Sequence, residues 1–319
     1  MKKIAIPLAL FSAISFSNIV SAQSNVTVYG KIDLGVGRNI GTDYNGILQG
    51  AASRLGFKGQ EDLGGGWKSS FHLQHRFNAD TGTATNPQKF WHADSWVGLE
   101  GPYGQVRLGR MFTPSYEYVM LPSDPFQHSR VSSTLVTHVG GGKDGVAAAS
   151  PIRFDNGVNY NVKSGGLRFG ATFAPSEGVA SVRNAYSAAV SYTTGKLYVA
   201  VGRENPSGAN NEWNTISARW GDDTLKVFTF FGKGKSNASV NNSIQSYSVG
   251  ATGKLGYGTL KTAYARMDNK DLNTKIQDKF AVGYYYNLSK RTQVYADIAH
   301  DRAYDANKNG FNLGIVHDF

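Results

Sequence analysis

Two kinds of connection take turns along this chain, and that rhythm limits the fold more than any single motif does. Seven short turns recur: Asp62-Leu63-Gly64-Gly65-Gly66, Gly101-Pro102-Tyr103-Gly104, Lys163-Ser164-Gly165-Gly166, Thr194-Gly195-Lys196, Gly221-Asp222-Asp223, Leu255-Gly256-Tyr257-Gly258 and Leu288-Ser289-Lys290-Arg291. Gly, Asp and Ser provide the positive φ or the side-chain hydrogen bond that a tight hairpin needs. Between successive turns lies a longer polar connection, near 38–46, 79–90, 113–150, 175–184, 205–211, 234–242, 269–275 and 303–308. Fifteen connections join sixteen strands. Strict alternation of short and long puts all the long ones at one end of an antiparallel meander. An even strand number lets the last strand pair with the first.

The strands themselves show period two. Val26, Val28, Ile32, Leu34 and Val36 share one face of the first, and Thr27, Tyr29, Lys31 and Asp33 the other. A soluble sandwich gives the same local pattern, so the surroundings must decide. The chain starts with Lys2 and Lys3, an apolar run from Ile4 to Phe16 and small residues at Val20-Ser21-Ala22. These features predict a cleaved export signal over 1–22, with a mature domain over 23–319. No later stretch approaches the roughly 20 apolar residues of a membrane helix. An exported chain of this pattern that enters lipid must close into a barrel, because lipid cannot satisfy open backbone edges. The 33 basic residues, less Lys2 and Lys3, face 23 acidic ones, which leaves the mature chain near +8. The basic residues are dispersed, with no run of five, so a nucleic-acid partner is not expected. With no cysteine, a disulfide scaffold and thiolate metal sites are excluded.

Several ordered segments carry a family resemblance: Val28-Tyr29-Gly30-Lys31, the run from Ser53 to Gly66, Trp96-Val97-Gly98-Leu99, Leu108-Gly109-Arg110, Asp124-Pro125-Phe126, the run from Arg153 to Tyr160, Leu288-Ser289-Lys290-Arg291-Thr292 and the terminal Phe319. The mature chain resembles the general porins of Gram-negative bacteria, in particular their beta-proteobacterial branch. The resemblance implies an all-β, sixteen-stranded transmembrane barrel of the outer membrane, with short periplasmic turns and long extracellular loops. It also implies a homotrimer, and a third loop folded into the lumen to form a constriction. The 113–150 connection is the longest and holds Tyr116, Tyr118, Val119, Met120, Leu121 and Phe126, which suits packing better than disorder.

Alternation selects the pore-facing charges. Apolar Leu55 and Phe57 turn Arg54 and Lys58 inward. Phe71, Leu73 and Phe77 do the same for His72, Gln74 and Arg76. Val106 and Leu108 do so for Arg107, and Phe154, Val158 and Tyr160 for Arg153. Lys31 belongs to the polar set of the first strand. A charge on the lipid face at mid-depth costs roughly 2–4 kcal/mol, which forces the inward choice. The basic wall is thus expected to comprise Lys31, Arg54, Arg76, Arg107 and Arg153, facing Glu117 and Asp124 on the loop. By the resemblance, Lys31, Arg54 and Arg153 fall where the family keeps basic constriction residues. The family's frequent arginine before Val-Gly-Leu is replaced here by His92-Ala93-Asp94. The aromatics Tyr284 to Tyr286, Tyr295, Trp91, Trp96, Trp213 and Trp220 suit interfacial girdles, and His75 is expected to point outward, near an interface or in contact with a neighbouring subunit.

Other chemistry finds little support. Asp305-Ala306-Asn307-Lys308-Asn309-Gly310 begins like a calcium loop, but Val316 stands where Glu is required. Gly140-Gly141-Gly142-Lys143 lacks the spacing of a phosphate loop, and Asp144 follows its lysine. No cofactor or metal is expected. The expected function is passive diffusion of ions and small hydrophilic solutes through a water-filled channel, with a mild anion preference and lipid as the surrounding partner. A substrate-selective channel, a plugged adhesin-like barrel and a barrel enzyme are the alternatives.

Overall fold

The computed structural model describes residues 25–143, 147–178, 183–206, 211–236 and 242–319. The export signal expected over 1–22 lies outside them. Sixteen long strands run as an antiparallel meander: β1 (Asn25–Arg38), β2 (Ser53–Gly64), β3 (Trp67–Asn78), β4 (Asp94–Gly101), β5 (Gly104–Phe112), β6 (Arg153–Ser164), β7 (Leu167–Ala174), β8 (Ala185–Thr194), β9 (Leu197–Asn205), β10 (Glu212–Gly221), β11 (Leu225–Lys235), β12 (Ser243–Leu255), β13 (Gly258–Asn269), β14 (Thr274–Asn287), β15 (Thr292–Asp301) and β16 (Asn309–Asp318). Two short strands, Gly46–Gln49 and Thr83–Ala84, extend the sheet over β1 and β3 at the long-loop end. The turns foreseen from Gly, Asp and Ser fall where the strands reverse.

The sheet closes on itself. β1 pairs with β16 from Lys31↔Asp318 to Arg38↔Phe311, and Gly30 exchanges both backbone hydrogen bonds with the terminal Phe319, at 2.9 and 3.1 Å. Closure removes every edge, the condition lipid imposes. β1 pairs with β2 only from Asn25↔Gln60 to Lys31↔Arg54, and beyond that with Gly46–Gln49. Between the two, the chain bends around Asp33, whose carboxylate accepts the Ala51 amide at 2.8 Å.

The burial pattern is inverted relative to a soluble protein. The outward face is apolar and bare: Val26, Ile298 and Leu313 are each more than 60% exposed. The inward face is polar and covered, with Asn159, Thr172, Ser187, Thr215, Ser217, Ser246 and Ser248 all buried. A continuous apolar exterior of this extent is stable only in lipid.

The long segment between β5 and β6 packs against the inward face of β7–β14. It forms a turn of helix at Tyr116–Met120, a tighter turn at Leu121–Ser123 and a short helix at Leu135–Val139. Tyr118, Val119 and Met120 are fully buried against inward residues such as Ala189, Ala200, Trp213, Phe230 and Met267. The wall makes room for the chain with bare backbone: a Cβ on Gly202 would stand 2.6 Å from Ser115 Oγ, and one on Gly250 would stand 2.5 Å from Pro125.

Two expectations about facing need correction. Phe154 does not face lipid. It is buried with Ala174 and Ala185, both inward, because the register slips opposite Gly109 and Met111 and Asn156 adopts a φ of 52°. A β-bulge of this kind shifts the alternation by one residue. Trp213, Tyr285 and Tyr295, almost fully buried, and Trp96, packed edge-on against the inward His72, are also inward and not parts of a girdle. Trp220, Tyr284 and Tyr286 do face outward.

Candidate pore constriction

The strand register builds a row of cations. Lys31 lies directly opposite Arg54, and Arg54 directly opposite Arg76. Directly opposed side chains have Cβ atoms about 5 Å apart, and like charges there destabilise a sheet. The row therefore lowers its energy when an anion sits against it. These three residues, together with Arg107, Arg153 and Arg219, line one cavity of about 670 Å³ between the inner wall and the long loop. Tyr29, His72, Gln74, Trp96 and Phe112 share the wall side, and the loop side sets Leu121, Pro122 and Leu135 beside the polar Glu117, Gln127, His128 and Ser129.

Lys58 also lies inward of Leu55 and Phe57, but outside this cavity, with its ammonium 5.4 Å from the centre of the Tyr29 ring. Arg219 was overlooked in the sequence, although Ile216 and Trp220 on its strand face lipid and the same alternation turns it inward.

The acids are not arranged as the sequence suggested. Asp124 does not line the cavity. Its carboxylate is buried inside the loop, where it accepts the backbone amides of Phe126, His128 and Thr134 at 2.8, 3.0 and 3.0 Å. Burial opposes its ionisation, but the neighbouring histidines and the amide donors prevail and hold its carboxyl below the usual range. Its task is to shape the loop. Glu117 does line the cavity, but Arg168 of β7 grips it at 2.8 Å. Asp94, a lining acid not foreseen, pairs with Arg153 at 3.5 Å, and Lys31 pairs with Asp318 at 3.3 Å. Among the described residues, Arg54, Arg76, Arg107 and Arg219 have no ion-pair partner. Arg107 instead lies over the Trp96 ring and Arg153 over the Phe112 ring, at 4.8 and 3.7 Å. The result is an excess of uncompensated positive charge around the cavity, at Arg54, Arg76 and Arg107 of β2, β3 and β5 and at Arg219 of β10.

A sequence profile of Gram-negative porins matches residues 9–306. The chain belongs to the Gram-negative porin family. This outer-membrane porin is 30% identical to the outer membrane porin protein 32 of Delftia acidovorans, over 99% of this chain and 92% of that one. It is 24% identical to an outer membrane porin protein of Bordetella pertussis, over the full length of both. Among solved structures, the anion-selective porin from Comamonas acidovorans superposes with a TM-score of 0.80, at 27% identity, covering 93% of this chain and all of that one. The OmpF protein of Salmonella typhi shares the fold, with a TM-score of 0.71 at 14% identity.

The loop of this porin is clamped at several points. Arg130 donates to Asp33 across 2.6 Å, with both side chains almost fully buried, and its guanidinium lies 3.9 Å from the Tyr295 ring centre. Tyr295 Oη donates to the same carboxylate at 2.7 Å. Trp213 Nε1 donates to the His138 carbonyl at 2.8 Å. His138 also bonds Ser248 Oγ at 2.8 Å and His128 at 2.7 Å. Burial pushes both imidazoles down, His128 to about 4 and His138 to about 3, so both are neutral at pH 7. Burial likewise pushes the Tyr116 phenol up to about 12, and Tyr116 bonds His128 at 2.9 Å. The outward His75 is covered by the porin's own loop, stacked on Phe90 with ring centres 4.2 Å apart.

Proposed function

We propose that this porin is a passive, water-filled diffusion channel for ions and small hydrophilic solutes, with a mild anion preference set at a constriction between the β1–β6 wall and the 113–150 loop. The carrying observation is that the cavity's acids, Glu117 and Asp94, are both paired, while Arg54, Arg76, Arg107 and Arg219 are not. Fixed charge lining a narrow pore biases which ions enter. The name of the Comamonas relative, an anion-selective porin, agrees in sign.

The experiment is a zero-current potential in planar bilayers under a potassium chloride gradient. A potential of the sign set by chloride supports the proposal, and one of the sign set by potassium overturns it. We also infer that residues 1–22 are removed on export, which the mass of the purified chain tests directly. A homotrimer embedded in outer-membrane lipid is the proposed assembly. Its support is the family resemblance and the exposed aromatic surface around Phe90, which is 60% exposed above His75. Cross-linking of the detergent-extracted protein to a three-chain limit is the expected result.

A further inference from the structure

We propose that the constriction recognises aromatic monocarboxylates, by setting a cationic wall against an apolar patch of the loop, Leu121, Pro122 and Leu135, across one small cavity. The proposal rests on the anion-preferring channel described above and narrows its solute class. On the wall side, Arg54 and Arg76 stand opposite each other in register without acidic partners. On the loop side, Leu121, Pro122 and Leu135 are half-buried and face the same space. The acids that would repel a carboxylate are neutralised, Glu117 by Arg168 at 2.8 Å and Asp94 by Arg153 at 3.5 Å.

Different solutes can use different parts of this arrangement. Chloride and acetate engage the guanidinium groups alone. An uncharged aromatic engages the leucines alone. A sugar must hold its hydroxyls against apolar side chains, which costs hydrogen bonds to water. A benzoate-like ion uses both sides at once: its carboxylate oxygens accept charge-assisted bonds from guanidinium N–H groups, and its ring takes apolar loop surface out of water. The wall already holds guanidinium groups over rings, at Arg107–Trp96 and Arg153–Phe112. A cavity of about 670 Å³ lies within the usual range for small ligands. The cavity is open and wet, so binding stays weak enough for release, as conduction requires.

The test is block of the chloride current of the full porin in planar bilayers by benzoate, acetate and benzyl alcohol. Benzoate is expected to lower the current saturably at concentrations about tenfold below those at which acetate does, the factor worth about half a buried ring. Benzyl alcohol is expected to have no effect. Leu135→Asn and Leu121→Asn should each bring benzoate to within about twofold of acetate, and Arg54→Gln should weaken both anions. The benzoate-to-acetate ratio is taken within each variant, so a changed conductance cancels, and retained heat-resistant mobility on gels shows that the variant is folded. Equal potency of benzoate and acetate on the unaltered porin overturns the proposal. So does benzyl alcohol blocking as well as benzoate, or both leucine variants keeping the tenfold ratio. A cation-selective zero-current potential is a separate result, and it would remove the channel reading on which the proposal stands.

Discussion

Asp33→Asn is the sharpest perturbation the structure offers, because it changes one charge and almost no volume. Asp33 has no exposed side-chain surface, and Arg130 on the loop is 7% exposed. The carboxylate accepts three hydrogen bonds, from Arg130 at 2.6 Å, Tyr295 at 2.7 Å and the Ala51 amide at 2.8 Å. Removing one partner of a buried pair leaves an uncompensated charge and costs about 3–5 kcal/mol. The loss should fall on docking of the loop and not on the barrel, because Arg130 belongs to the loop and can leave with it. Hydrogen–deuterium exchange of the 126–139 segment reads that free energy locally. At tenfold per about 1.4 kcal/mol, exchange there should quicken by roughly two to nearly four decades, up to the limit set by the loop's own docking energy. Amides of β8 to β10 should change little. A solvent-exposed pair would be worth at most about 1 kcal/mol. A change in the loop under about fivefold would therefore refute the view that this pair is what holds the loop. Asp33→Asn combined with Arg130→Met should recover much of the protection, since no bare charge is then left inside.

Acid should loosen the same loop. His128 and His138 have their folded values lowered by burial to about 4 and 3, so their contribution is complete above the free value near 6.5 and is lost as pH falls from there toward 4. Each can lose about 1.4 kcal/mol per pH unit in that window, whereas the lowered Asp124 adds to the loss only below it. Exchange in 126–139, corrected for the intrinsic rate, should be faster at pH 5 than at pH 7, and unchanged protection would contradict the account. Gly37→Val should weaken ring closure, since a Cβ there would lie 2.0 Å from the Phe311 carbonyl across the β1–β16 seam, while Gly46→Val has nothing within 4 Å. The first should cost about 2 kcal/mol through overpacking and lower the temperature at which the fast-migrating folded form is lost; the second should leave it in place. Arg54→Glu reverses a charge in the cation row and should move the zero-current potential toward the potassium value, and no movement would remove Arg54 from the selectivity site.

Much of the architecture was legible because lipid imposes a simple rule, apolar outward at every second residue. Turn chemistry located all seven short turns, and the alternation placed Lys31, Arg54, Arg76, Arg107 and Arg153 in one cavity. Carried past the sixth strand it would also have found Arg168 and Arg219, which sit between outward Leu167 and Phe169, and between outward Ile216 and Trp220. It failed at Phe154, where a bulge at Asp155-Asn156, beside Gly157 and opposite Gly109, changes parity. Aromatic identity failed too, because Trp213, Tyr285 and Tyr295 are large and amphipathic and suit a loop-facing wall as well as a membrane interface. The role of Asp124 was misread because a loop carboxylate can look at the pore or at its own amides, and spacing does not say which. The Asp33–Arg130 pair, 97 residues apart in sequence, depends on the path of a loop that no periodicity describes.

The trough of bare backbone beneath the loop, with Gly202 and Gly250 at its floor, separates two jobs that one polypeptide would otherwise have to compromise over. The stave-to-stave hydrogen bonding forms the floor of the trough, with Gly202 opposite Thr215 and Gly250 opposite Phe228, while the loop residues that line the cavity sit on the far side of the inserted segment, so one can drift without disturbing the other. Sequence change that retunes what the opening admits can then accumulate on Leu121, Pro122 and Leu135 at little risk to assembly. By the same logic, a single added methyl group at the floor could alter the aperture from beneath, without any solute ever touching it.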